Sequence, residues 1–103
     1  MDYAADELLF ELERIEETLD EAARRAGQGC GPDFERRLGA HLRSLRNMLG
    51  ADDVAVAADA MEAAERAMNA ADPAAPLMML QLARNTLGAV IRRCASTRLR
   101  PAA

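Results

Sequence analysis

Apolar residues recur at alternating spacings of three and four along four successive segments of this 103-residue chain. Such a spacing places one apolar stripe along the side of an α-helix. The stripes consist of Ala5, Leu8, Leu12, Ile15, Leu19, Ala22 and Ala26; Phe34, Leu38, Leu42, Leu45 and Leu49; Val54, Ala57, Met61, Ala64, Met68 and Ala71; and Leu80, Ala83, Leu87, Val90 or Ile91, and Cys94. The sequence therefore predicts four amphipathic helices.

Residues that start and stop helices separate the four stripes. The candidate N-caps are Asp2, Asp33, Asp52 or Asp53, and Asp72, which is followed by Pro73 at the first helical position. Breaks are predicted at residues 27–32, 50–52 and 71–73. Gly50 can adopt the left-handed conformation that ends a helix. The fourth helix is predicted to reach about Ser96, and residues 97–103 are expected to fray.

The connections between the predicted helices are short, which favours antiparallel neighbours. We therefore expect one all-α domain over residues 1–103, folded as an antiparallel up-and-down four-helix bundle. β-branched and aromatic residues are too few for a β-sandwich or a barrel, and an apolar content of 50% is too high for a disordered chain. No apolar run approaches the roughly 18 residues of a membrane span, and no secretory signal is visible. We expect a cytoplasmic protein that does not contact membranes.

The two cysteines, Cys30 and Cys94, are too few for a disulfide framework and lack the spacing of a CxxC motif. Together with His41 they provide at most three metal ligands, whereas structural zinc sites usually have four. We expect Cys94 to be a small core residue and Cys30 to be a thiol in a loop. Neither a metal nor a cofactor is predicted.

The predicted helices alternate in charge. Residues 2–26 carry a net charge of −6, residues 34–50 carry +3, residues 51–72 carry −5, and residues 73–103 contain five arginines and no acid. We expect neighbouring helices of opposite charge to attract each other. The whole chain has a net charge of −4 and no lysine, and no aromatic residues are interleaved with its arginines, which argues against a nucleic-acid partner.

His41 is the only histidine, and a nucleophile–base–acid set cannot be assembled around it. A phosphate-binding P-loop is also absent from the sequence. We therefore do not expect a conventional metabolic enzyme. A single histidine on a helix of a small four-helix domain suggests phosphotransfer instead, because an imidazole nitrogen accepts a phosphoryl group and the phosphoramidate is labile enough to pass it on.

The residues that follow position 40 have a distinctive order and spacing. They are Leu42, Leu49, Gly50, Ala51, Val54, Met61 and Glu62. This pattern resembles the histidine-containing phosphotransfer (HPt) domain, over roughly residues 35–93. Arg43 stands where the family has lysine, and Ser44 stands where it has glycine. In this register the phosphoacceptor position falls on Ala40, and His41 comes one residue later.

The resemblance implies a bacterial phosphorelay protein of two-component signalling that acts by protein–protein contact. Its partner would be the receiver domain of a response regulator or a histidine kinase. Two alternatives stay open for the mechanism. Either His41 carries the phosphoryl group, or the chain is a degenerate member that binds a receiver without transferring.

A helical wheel places Ala40 roughly opposite the apolar stripe of its helix and His41 about 60° from the centre of that stripe. Three interpretations of His41 follow: a partly buried and hydrogen-bonded residue, an active phosphoacceptor displaced by one position, or a merely exposed side chain. The residues that surround Ala40 on the wheel are Arg36, Arg37, Arg43, Ser44 and Asn47. They predict an exposed basic face, which either docks the acidic pocket of a receiver or is a solvated face that balances the acidic helices.

An alternative function is that of a helical adaptor or chaperone that binds a helix of its partner. Met78, Met79 and Leu82 lie off the main stripe of the fourth helix and would form the contact site. Methionine side chains adapt to varied partners. The same three residues would instead be buried if they close the bundle or form the interface of a homodimer.

Overall fold

The computed structural model describes residues 5–25, 32–69 and 74–99, which fold into helices and short turns. The helices are α1 (Ala5–Arg24), α2 (Pro32–Arg46), α3 (Ala51–Met68) and α4 (Ala75–Leu99). No strand occurs within the described residues. The prediction of an all-α fold with four helices is confirmed.

Neighbouring helices run antiparallel, because in the pairs α1–α2, α1–α4 and α3–α4 the residues late in one helix meet residues early in the other. The contacts are Glu11–His41 and Glu21–Arg37 between α1 and α2, Glu16–Arg92 and Asp20–Arg84 between α1 and α4, and Asp53–Arg93 between α3 and α4. The short segment 47–50 joins α2 to α3. The result is an up-and-down bundle 51 Å long and 21 Å across.

The starts of α2 and α3 differ slightly from the predicted ones. Asp33 does not cap α2, because the helix begins one residue earlier at Pro32 and Asp33 lies in its first turn. The N-cap of α3 is Gly50, and no side chain caps that helix; Asp52 and Asp53 lie in its first turn. These acids are still well placed, because a carboxylate in the first turn interacts favourably with the positive end of the helix dipole.

Gly50 does not end α2 in a left-handed conformation, as the sequence suggested. The helix already ends at Arg46, and the chain tightens so that the amide of Met48 donates to the carbonyl oxygen of Leu45 at 2.9 Å. Such short-range bonds satisfy the last carbonyl groups of the helix without a left-handed residue. Gly50 itself is extended, with φ −71° and ψ 165°.

Helix α4 begins at Ala75 and continues to Leu99, which extends three residues past the predicted end near Ser96. Pro76 is buried in its first turn, where the missing amide proton leaves no helical hydrogen bond unmade. The other predicted boundaries lie outside the described residues: Asp2, residues 27–31, Asp72, Pro73 and residues 100–103.

The four apolar stripes meet in one core. Every described stripe residue is buried except four half-buried ones, which are Leu42, Leu49, Val54 and Cys94. Ala57 and Ala64 of α3 are fully buried in this core. No helix among the described residues combines the length and the apolarity that crossing a membrane requires.

Ion pairs join helices of opposite charge, in agreement with the alternating charge of the sequence. The closest are Arg93 to Asp53 at 2.6 Å between α4 and α3, and Arg37 to Glu21 at 2.8 Å between α2 and α1. Between α4 and α1, Arg84 and Arg92 both lie within 4 Å of the carboxylate of Glu16. Acidic α1 and α3 are therefore each bound to a basic neighbour.

Candidate functional site

His41 lies on the core side of α2, and only 6% of the residue is exposed. Nδ1 of its ring lies 2.6 Å from Oε2 of Glu11 on α1. Nε2 lies 2.9 Å from Oγ1 of Thr18, two turns further along α1. Both ring nitrogens are thus hydrogen-bonded inside the bundle. Of the three interpretations of the sequence, the contacts agree with a hydrogen-bonded residue, and His41 is buried rather than partly buried.

The hydroxyl group of Thr18 also forms a hydrogen bond within α1. It donates to the backbone carbonyl oxygen of Arg14, one turn earlier in α1, at 3.1 Å. The same oxygen lies 2.9 Å from Nε2 of His41, and the tautomer of the ring decides which of these two atoms donates. The carboxylate of Glu11 accepts from Nδ1. The ring is thus held at both nitrogens, by Glu11 on one side and by Thr18 on the other.

Sequence reasoning did not single out Glu11 and Thr18, although both are buried. Their spacing of seven puts them on one row of α1, directly beside the stripe residues Leu12 and Leu19. A histidine on the margin of a neighbouring stripe needs polar partners when it is buried. The row of polar residues beside the apolar stripe of α1 is therefore the sequence feature that could have predicted these contacts with His41.

Ala40 precedes His41, and the 100° step between the two residues turns Ala40 to solvent. Arg36, Arg43 and Asn47 are exposed around it, and Ser44 is half-buried. We call Arg36, Ala40, Arg43 and Asn47 the Ala40 face. It is the exposed part of the basic surface that the helical wheel predicted, with a small residue at its centre, and it lacks the half-buried Arg37 and Ser44.

Arg37 departs from the prediction that it belongs to this exposed surface. It is half-buried, and its Nη1 donates to Oε2 of Glu21 at 2.8 Å. The hydrogen bond from Arg37 and its positive charge lower the pKa of the Glu21 carboxyl group below the usual 4.5. Arg37 therefore joins α2 to α1 and is already occupied by an acid of its own chain.

A cleft of about 260 Å³ lies between α1 and α2 beside Ala40. It is lined by Arg14, Glu17, Thr18, Arg37, Ala40 and His41. The buried polar atoms of Thr18 and His41 are bonded to each other, so the free hydrogen-bonding capacity of the cleft belongs to the charged groups at its rim. Arg14 extends the positive charge of α2 onto α1. Glu17 brings a negative charge to the same rim, and Arg37 is paired with Glu21.

The cysteine predictions have different outcomes. Cys30 lies outside the described residues. Cys94 is half-buried and not a full core residue, because its thiol donates to Oδ2 of Asp53 at 3.2 Å near the surface. Arg93 donates to the other oxygen of the same carboxylate at 2.6 Å. Among the described residues, three or more side chains that could hold a metal ion do not come together.

The residues predicted for an adaptor surface are partly accessible. Met78 and Leu82 are 73% and 56% exposed, and Met79 is half-buried. Met79 and Leu82 line a groove between α3 and α4. Met78 and Leu82 therefore do not close this bundle.

Comparison with known proteins returns no match to this chain among family models, curated proteins or solved structures.

Proposed function

We propose that this chain is an HPt-like docking protein of two-component signalling, which binds the receiver domain of a response regulator and does not carry a phosphoryl group on His41. The observation that carries the proposal is the contrast between two consecutive residues of α2. Ala40, where the HPt resemblance puts the phosphoacceptor, is exposed beside arginines. His41 is buried, with both ring nitrogens hydrogen-bonded.

The surroundings of His41 oppose phosphorylation. A phosphoryl group on Nε2 would break the hydrogen bond to Thr18 and add negative charge to a buried site that already holds the carboxyl group of Glu11. Like charges repel more strongly in the protein interior than in water. A ring turned out to solvent would leave Glu11 buried without its partner, which costs about 1–3 kcal/mol or more. A phosphorylated ring inside the bundle and a ring turned out to solvent are therefore both unfavourable. This supports a protein that binds a receiver without transferring a phosphoryl group.

The Ala40 face can offer positive charge to an acidic partner. Arg36 pairs with Asp33 at 3.7 Å, but both side chains are more than 70% exposed, so this pair contributes little stability and is easily exchanged. Arg43 lies over Gly39, where a Cβ atom would sit 3.6 Å from its Nη1. Ala40 between them lets a partner approach the helix closely. Complementary charge of this kind mainly accelerates association.

The proposal is tested by binding to a panel of purified receiver domains, with association rates measured at low and high salt. The double variant Arg36→Glu/Arg43→Glu should slow association about tenfold or more and weaken its salt dependence. Arg24→Glu/Arg66→Glu is the matched control, because it reverses two other exposed arginines and changes the net charge equally. The proposal fails if no receiver binds, or if both double variants behave alike.

A further inference from the structure

A groove of about 280 Å³ runs between α3 and α4, on a side of the bundle that the Ala40 face does not include. Its lining is mostly apolar. Helix α3 contributes Val56, Asp59, Ala60 and Ala63, and helix α4 contributes Met79, Leu82, Ala83 and Thr86. The three alanines explain the groove, because their methyl groups are too short to fill the space between two packed helices.

Large apolar side chains are concentrated at this groove. Val56 on one wall and Leu82 on the other are exposed, and Met78 lies one turn before Leu82 on the same row of α4. These are three of the six exposed large apolar residues described in the chain. Contiguous exposed apolar surface beside polar residues marks interaction sites, and methionine adapts its shape to a partner.

The two walls of the groove differ in charge. Asp59 lines the groove, and Asp52, seven residues earlier, lies on the same row of α3, one turn before Val56 where the groove begins. Neither forms an ion pair with another described residue. The outer edge of α4 is neutral, since it presents Gln81 and Asn85, which are hydrogen-bonded to each other. An occupant with basic residues on one flank only would match this asymmetry.

We infer that the groove binds an amphipathic helix of another protein. Apolar side chains at positions i and i+4 of that helix enter the groove, as in other helix-in-groove complexes. Arginine or lysine residues two turns apart on one flank pair with Asp52 and Asp59. This contact is independent of the proposed receiver docking, because it uses different helices and the opposite sign of charge.

A second copy of the chain fits the groove less well. The groove extends from Val56 to Ala63 on α3, which is only about 11 Å of helix. A stable dimer buries about 800 Å² on each partner, far more than a patch of that length offers. The exposed apolar row of α4, Met78 and Leu82, is flanked by neutral residues and would bring no positive charge to the aspartates of the other copy.

The experiment uses the full chain as the target of a displayed library of helices. Each helix has leucine at two positions four residues apart and randomised flanks. Counter-selection uses Ala63→Arg, in which the arginine side chain occupies the groove. We expect the enriched helices to carry arginine or lysine at two positions seven apart on one flank. The inference fails if nothing is enriched over the counter-selection, or if the enriched flanks show no basic preference.

One enriched helix is then synthesised and its affinity measured. Leu82→Gln and Asp59→Arg should each weaken binding about tenfold, whereas Phe10→Gln, which removes an exposed apolar residue from α1, should leave the affinity unchanged. Circular dichroism checks that each variant is folded. Equal losses in all three variants contradict the inference. Sedimentation that shows a dimer dissociated by Leu82→Gln also overturns it, because the groove then holds a second copy.

Discussion

Nδ1 of His41 and Oε2 of Glu11 lie 2.6 Å apart in a place where each side chain is more than nine-tenths buried. The pair connects α2 to α1 through the edge of the core. A buried polar pair of this kind adds modest net stability while it is complete, and leaves a costly unpaired group when one partner is removed. Stability measurements are therefore the most direct probe of this site.

Replacing Glu11 with leucine should destabilise the fold by about 3 kcal/mol, because the ring of His41 loses its buried acceptor. Glu13→Leu, at an exposed position of the same helix, is the control and should change stability by less than about 0.5 kcal/mol. Urea unfolding followed by circular dichroism measures both. The double variant Glu11→Leu/His41→Leu should be more stable than Glu11→Leu alone, since no polar group is then left unpaired. Equal stability of Glu11→Leu and Glu13→Leu would contradict the pairing.

Phosphoramidate, a small phosphoryl donor, should not label the folded protein. His41 is the only histidine, so a phosphohistidine signal in ³¹P NMR would report on this residue alone. The same reagent should label the chain in urea, where both ring nitrogens are free, and this is the positive control. Label in the folded protein would show that His41 accepts a phosphoryl group and would overturn the non-transferring proposal.

The stabilising effect of Glu21 should depend on pH. Its pKa is lowered by Arg37, so the carboxylate contributes stability above the usual value of 4.5 and loses that contribution as the pH falls through the lowered pKa. The wild-type protein should be more stable than Glu21→Gln at neutral pH, and the difference should vanish in acid. Thermal unfolding over a pH series measures it. A difference that persists at the lowest pH would argue against the ion pair.

Glu65 should show the opposite behaviour. Partial burial raises the pKa of its carboxyl group, and the charges of Glu35 and Glu62 raise it further. The ionised group therefore costs stability above its raised pKa, and this cost disappears as the pH falls below 4.5. Glu65→Gln should be more stable than the wild type at neutral pH and equal to it in acid. A Glu65→Gln protein that is less stable at neutral pH would refute the expectation.

Gly88→Ala should stabilise the protein by up to about 1 kcal/mol, because alanine is the better helix former in the middle of α4. A Cβ atom at this position would lie 2.7 Å from Nη1 of Arg92 and meet only that flexible side chain. Arg92 would move and weaken its 3.4 Å contact with Glu16, an exposed pair that contributes little. Urea unfolding shows whether Gly88→Ala raises or lowers the free energy of unfolding. A loss of stability would mean that Arg92 cannot move aside.

The helices and the direction of their faces could be predicted from the sequence because both depend on local geometry. The spacing of residues such as Leu8, Leu12 and Ile15 assigns one side of a helix to the core, whatever it packs against. The 100° step between Ala40 and His41 similarly turned one residue to solvent and the other to the margin of the core. The helix ends were harder to predict than the helices themselves. A cap depends on one residue, so a shift of one position removes Asp33 or Gly50 from its expected role.

The sequence by itself determined four amphipathic helices of alternating charge and a basic face around Ala40. Only the tertiary structure decided which polar residues meet across the helices. His41 and Glu11 are 30 positions apart, and Arg37 and Glu21 are 16 apart, so their contacts depend on which helices are neighbours and on the register between them. The groove between α3 and α4 likewise exists only once the two helices are packed. Periodicity fixes the side on which a residue lies, whereas packing selects the atom that it touches.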